Sequence, residues 1–222
     1  MLGLIASAAS AVKTCSKCGL VKPHCDFTRS RQTKDGYHGW CRPCLYLALK
    51  RAYKERRTLV EDVKKRPCTD CGQSFPTWVL EFDHLRDKTF KIGTVQKGRD
   101  KLQAEIAKCE VVCSNCHRFR SQQRATALSN GSTVQRKAWR EWLSTMKAQP
   151  CLDCRGVFHT ASMDFDHVRG TKLATVSQMM GCRLQAVLEE IQKCDLVCAN
   201  CHAHRTYCRS HGIEPYTLTQ VA

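Results

Sequence analysis

The chain has 222 residues, only 7% of them aromatic, and 36 Lys and Arg against 20 Asp and Glu give a net charge of +16. With a pI near 9.3 and a mean hydropathy of −0.41, that balance favours a polyanionic partner such as nucleic acid over an acidic small substrate. No apolar run approaches the roughly 18 residues a membrane-crossing helix needs.

In chain order, residues 1–12 are apolar, end in small residues and lack a preceding basic run, and read as a flexible tail. Residues 13–66 read as a zinc ribbon followed by a helix. Cys15/Cys18 and Cys41/Cys44 stand 22 residues apart, and a polar helix is expected from about Leu45 to Lys65, with Lys50, Arg51, Lys54, Arg56 and Arg57 on its surface. Residues 1–66 hold 15 basic and 5 acidic side chains, +10 of the total +16, which makes this module the strongest electrostatic candidate for gripping phosphate. A solvated helix face is the plainer reading of the same charges.

The next stretches are an internal repeat. Pro67, Cys68, Cys71, Asp83 and His84 recur 83 residues later as Pro150, Cys151, Cys154, Asp166 and His167, and Cys109, Cys113, Asn115, Cys116 and His117 recur after 85 as Cys194, Cys198, Asn200, Cys201 and His202. The second copy therefore carries two extra loop residues, an insertion that loops accept at little cost. The copies span 67–128 and 150–210. Between them, 129–149 reads as a linker, with Ser129 to Ser132 as a breaker and Thr133 to Lys147 as a short helix whose Trp139, Trp142, Leu143 and Met146 serve packing. Residues 211–222 form a C-terminal tail. Within each copy a strand is expected at Trp78–His84 and Ser162–His167, then a helix near Asp100–Cys109 and a last helix from about Asn115.

Six C-x2-C pairs decide how the cysteines are used: two such knuckles complete the tetrahedral shell that structural zinc prefers. Three sites follow, from Cys15, Cys18, Cys41 and Cys44; Cys68, Cys71, Cys113 and Cys116; and Cys151, Cys154, Cys198 and Cys201. Cys25, Cys109, Cys182, Cys194 and Cys208 remain, an odd number that fits a reducing, cytoplasmic setting better than a disulfide framework. The fold class expected is α+β, in small zinc-stapled modules that depend on their metal.

A structural zinc site needs only its cysteines. Here each repeat adds an Asp-His pair 12 residues after its first knuckle and a His directly after its last Cys. Such a carboxylate and imidazole can hold a second, catalytic divalent ion while the other His faces a water, as phosphodiester cleavage requires.

On these residues the chain resembles the zinc-bearing branch of the HNH endonucleases, the His-Me finger or ββα-metal nucleases, to which a phage recombination endonuclease acting on branched DNA also belongs. The first copy carries Leu80-Glu81-Phe82-Asp83-His84 and Cys113-Ser114-Asn115-Cys116-His117, the second Met163-Asp164-Phe165-Asp166-His167 and Cys198-Ala199-Asn200-Cys201-His202. The front module, with Cys18-Gly19, Lys22-Pro23, Phe27 and Asp35-Gly36, resembles one often attached to phage nucleases. The resemblance implies tandem ββα-metal domains, with His84 and His167 as general bases and Asp83 with His117, and Asp166 with His202, each holding one Mg²⁺ or Mn²⁺. It also implies a duplex or branched DNA substrate and no membrane partner. Arg118, Arg120 and Arg205 are candidate phosphate contacts, beside Lys50, Arg51 and Lys54 of the first module. The chain departs from the family where many members carry an Asn about five residues before the second knuckle: Lys108 and Lys193 stand there. The competing expectation is a non-catalytic zinc-ribbon protein that binds DNA or RNA.

Overall fold

In the computed structural model the described residues are 11–93, 98–128, 134–215 and 218. The expected breaker at Ser129–Ser132, most of the N-terminal tail and much of the C-terminal tail lie outside them. The protein is a mixed α+β chain of short two-stranded sheets and helices. Apart from a short stretch outside the described residues, the chain up to Leu59 forms one compact unit and the chain from Val60 onward another.

The first unit holds two antiparallel pairs, β1 (Val12–Thr14) with β2 (Val21–Pro23), and β3 (Phe27–Arg29) with β4 (Tyr37–Cys41). Val12 therefore belongs to a strand rather than to the tail. The core is small: Phe27, Cys15 and Cys41 are buried, with Tyr37, Trp40 and Cys44 against them. Helix α1 (Arg42–Lys64) starts three residues earlier than expected and buries no side chain completely, so Lys50, Arg51 and Lys54 lie in solvent. Its last turn, from Val60, belongs to the second unit, where Val63 packs on the core.

In the second unit the repeat is built twice. Strand β5 (Leu80–His84) pairs antiparallel with β6 (Cys109–Cys113), helix α2 (Arg99–Ile106) lies between them in sequence, and α3 (Ser114–Leu128) follows. Strand β7 (Met163–His167) pairs with β8 (Cys194–Cys198), with α5 (Leu184–Gln192) between and α6 (Ala199–His211) after. The registers match: Asp83 lies opposite Glu110 and His84 opposite Cys109, as Asp166 lies opposite Asp195 and His167 opposite Cys194. The segment running into each second knuckle, where no strand was expected, is thus itself a strand. Each sheet is cored by few residues, Leu80, Val79 and Val112 in one and Met163 and Val197 in the other. Helix α4 (Val134–Met146), read from sequence as part of a linker, packs Leu143, Trp139 and Trp142 with Val176, Val187 and Cys194. It is an element of the second repeat.

The two repeats dock on each other through their last helices. The Asn115 N–H donates to Asn200 Oδ1 at 2.9 Å, and the Asn200 N–H to Asn115 Oδ1 at 3.1 Å. Both are first-turn amides, which have no partner within their own helix, so each repeat caps the other's helix. Trp78 adds a stack on Tyr207, with centroids 3.9 Å apart, and its Nε1–H donates to His204 Nδ1.

Candidate functional site

All seventeen cysteines are free thiols, and twelve of them form the three expected clusters. In each cluster the four sulfurs lie within 4.8 Å of one another. The Sγ atoms of Cys18 and Cys41, and of Cys154 and Cys198, are 4.0 Å apart, close to the roughly 3.8 Å edge of a tetrahedron with Zn–S bonds of about 2.3 Å. The donor set and spacing fit one structural zinc per cluster. The local build is also threefold. The amides of Gly19, Gly72 and Arg155 close the turns onto the carbonyls of Cys15, Cys68 and Cys151, and all three residues have positive φ. The amides of Cys41, Cys113 and Cys198 donate to the sulfurs of Cys15, Cys68 and Cys151 at 3.2–3.3 Å, which favours the thiolate that zinc requires.

In each of the two repeats the cysteine cluster ties the turn before a strand to the start of a helix, and so sets the strand's acidic end beside the helix's first-turn His. Asp83, His84 and His117 line one cavity of about 870 Å³; Asp166, His167 and His202 line a second of about 460 Å³. His117 is bracketed by two carboxylates, Glu81 Oε2 at 2.8 Å from Nδ1 and Asp83 Oδ1 at 3.4 Å from Nε2. In the second repeat Asp164 Oδ2 lies 3.0 Å from His202 Nδ1 and Asp166 Oδ1 lies 3.5 Å from Nε2. The hydrogen bond to Glu81 raises the His117 pKa against the opposing effect of burial.

His84 and His167 rest on acids that the sequence reading did not single out as site residues. Glu105 Oε1 lies 3.1 Å from His84 Nε2, and Glu190 Oε1 lies 2.8 Å from His167 Nε2. Burial works against ionisation of Glu105, but Lys108 and the amides of Thr89 and Phe90 outweigh it and bring its pKa to about 2. Lys193, helped by the Leu173 amide, does the same for Glu190, also to about 2. An ionised carboxylate only accepts hydrogen bonds. Nε2 of each imidazole is therefore the protonated nitrogen, and in the neutral ring the lone pair sits on Nδ1. Lys108 and Lys193 lie 2.9 and 2.7 Å from the second oxygens of these glutamates. They lock the acid that orients the His. The one sign of them in the sequence is that Glu105-Ile106 recurs 85 residues on as Glu190-Ile191.

The three last-helix arginines expected to contact phosphate are all paired with carboxylates. Asp83 and Glu110 face each other across the sheet, a like-charge pair that is destabilising unless bridged. Arg120 bridges it, 3.0 Å from Asp83 and 2.6 Å from Glu110, and also binds Asp70. Arg205 does the same for Asp166, Asp195 and Asp153. Both are braces of the sheet. Asp83 also pairs with Arg124 at 2.7 Å; Arg124 and Arg120 hold the Asp83 carboxyl below its usual range against the effect of burial. Asp166 likewise pairs with Arg209. Arg118 crosses to the other repeat and binds Asp164 at 3.2 and 3.3 Å. Asn115 and Asn200 belong to the repeat interface.

No family model matches the chain, and no curated protein and no solved structure matches it either.

Proposed function

We propose that the chain is a metal-dependent DNA endonuclease: a basic zinc ribbon and helix followed by two HNH-type ββα-metal units. The observation that carries this reading is the duplicated grouping of an acid, an imidazole and a second imidazole around one cavity, at the same register in two strand–helix units. In the first centre Asp83 and His117 would hold Mg²⁺ or Mn²⁺; in the second, Asp166 and His202. The 3.4 and 3.5 Å separations of their donor atoms are near the roughly 3.0 Å edge of an octahedron with 2.1 Å bonds. Such an ion polarises the phosphate and stabilises the leaving oxygen.

The side chains supply the rest. Glu81 accepts from His117 Nδ1–H and leaves the Nε2 lone pair on the side of Asp83, the way a ligating imidazole is usually fixed. His84 and His167, held through Nε2, offer the Nδ1 lone pair to the attacking water as general bases. The base must be neutral to take that water's proton.

One observation favours the second reading, a non-catalytic nucleic-acid-binding protein: Asp83 and Asp166 each already pair with two guanidiniums, and a divalent ion must compete with them. Incubation of supercoiled plasmid with Mg²⁺ or Mn²⁺ decides. The endonuclease reading predicts nicking or linearisation, lowered on the order of 10²–10⁴-fold in the His84→Ala/His167→Ala double variant. Tight, salt-sensitive binding with the plasmid left intact supports the binding module.

A further inference from the structure

The offset of 83 residues extends upstream of the zinc knuckles. Lys64 ends α1 three residues before Pro67, and Lys147 follows α4 three residues before Pro150. The two lysines occupy equivalent positions. Lys64 Nζ lies 5.6 Å from the centroid of Phe82 and lines the first cavity with Asp83, His84 and His117. Lys147 Nζ lies 5.7 Å from the centroid of Phe165 and lines the second with Asp166, His167 and His202. Phe82 and Phe165 are themselves the residues just before the two Asp-His pairs.

Both lysines are partly buried, and among the described residues neither forms a salt bridge. Lys64 donates only to the Thr77 carbonyl, at 3.3 Å. Burial lowers both pKa values, against the pull of Glu81 on one and Asp164 on the other. Drawing an ammonium from water is costly where no carboxylate reaches salt-bridge distance, and the same cost recurs at the same place in both repeats. Each cavity is thus lined by carboxylates and imidazoles together with an ammonium that, among the described residues, makes no salt bridge, a set of groups complementary to a phosphodiester whose non-bridging oxygens the ammonium can meet.

We propose that Lys64 and Lys147 are phosphate-binding residues of the two centres, each contacting a non-bridging oxygen of the DNA phosphodiester in its cavity. This rests on the reading of the cavities as sites for DNA. The test measures binding of a labelled duplex, in Ca²⁺ to suppress cleavage, by the zinc-loaded full chain and by the Lys64→Met/Lys147→Met variant across a range of salt concentrations. Methionine keeps the apolar stem over each ring and removes the charge. Each lost phosphate contact removes about 0.9 from the slope of log K against log salt, so the double variant is expected to lose about 1.8. The Lys64→Arg/Lys147→Arg protein should keep the wild-type slope. Zinc content and thermal unfolding verify the fold, and a Lys→Gln pair carries the same test if the Met variants lose zinc. An unchanged slope in folded Met or Gln variants overturns the lysine contact even if the wild type cuts plasmid. A reduced slope in a protein that cuts nothing supports the contact and overturns the endonuclease reading instead.

Discussion

Corresponding distances in the two centres agree to within a few tenths of an ångström, yet the two hold their groups differently. In the first, Glu81 is fixed from within its own repeat: Ser114 Oγ donates to Glu81 Oε1 at 2.7 Å. In the second, the equivalent of Ser114 is Ala199, which has no hydroxyl, and the acid is the shorter Asp164. The missing contact is supplied across the interface by Arg118, whose own counterpart in the second repeat is Ala203. Both imidazoles end up bracketed by two carboxylates. The first centre is therefore self-contained, whereas the second is completed by the first repeat. Repeats docked this way can drift apart in sequence while keeping one geometry, provided a loss on one side is offset from the other.

The comparison can be broken at several levels. The largest effect is expected at the braces, where the repeats are alike: Arg120→Ala and Arg205→Ala should each destabilise the second unit by about 3 kcal/mol, because each leaves facing, partly buried carboxylates without their common cation. Chemical denaturation of each variant measures this, and a cost at only one position would show that the sheets are not equivalent. Next come the unlike supports. In a His84→Ala background, where only the second centre can act, Arg118→Ala should lower cleavage roughly 10–100-fold, the usual cost of losing a partner of a metal-ligating His. In a His167→Ala background the same change should leave cleavage nearly intact, and Ser114→Ala should show the reverse pattern. Equal effects on both centres would contradict the cross-repeat assignment.

A smaller effect concerns pH. The folded state raises the His117 pKa, through Glu81, and lowers that of Glu81, against burial and mainly through His117. The Glu81 contribution is complete above the unfolded glutamate value of about 4.3 and is lost as pH falls through the lower folded one. The His117 contribution is complete below about 6.5 and is lost as pH rises through its raised folded value. The pair therefore stabilises most between these limits. Both side chains are partly exposed, so about 0.5–1 kcal/mol is expected without divalent ions, read as the difference between wild type and Glu81→Gln across pH. An effect of similar size lies in the knuckle turns. Gly72 and Arg155 occupy equivalent left-handed positions, with φ of 69° and 60°. Only glycine takes that conformation without strain, so Gly72→Ala should destabilise and Arg155→Gly stabilise, each by roughly 1 kcal/mol in thermal unfolding.

Much of this was legible in the sequence because the cysteine knuckles are local in sequence and their pairing has few solutions. Their spacing identified the three clusters, and the repeat identified Asp83, His84, His117 and their counterparts as groups that recur together. What was missed depends on contacts over long separations. Glu105 reaches His84 across a loop and a helix, so neither residue's neighbours betray it. Lys64 and Lys147 lie upstream of the knuckles where the repeat was taken to begin, and α4 was assigned to a linker for the same reason. Arg120 and Arg205 read as phosphate contacts because a sequence cannot show that Glu110 faces Asp83, or Asp195 faces Asp166, across the sheet. The carboxylate that Arg118 hydrogen-bonds, Asp164, lies 46 residues away in the other repeat, so nothing near Arg118 in sequence marks it as a member of that centre.

The claim that each repeat holds a hydrolytic cation is tested most directly by counting Mn²⁺ bound to the zinc-loaded protein, by electron paramagnetic resonance titration. Two Mn²⁺ ions per chain are predicted for the wild type, one for His117→Ala, one for His202→Ala and none for the double variant. No Mn²⁺ binding, or binding that both substitutions leave unchanged, would contradict the account.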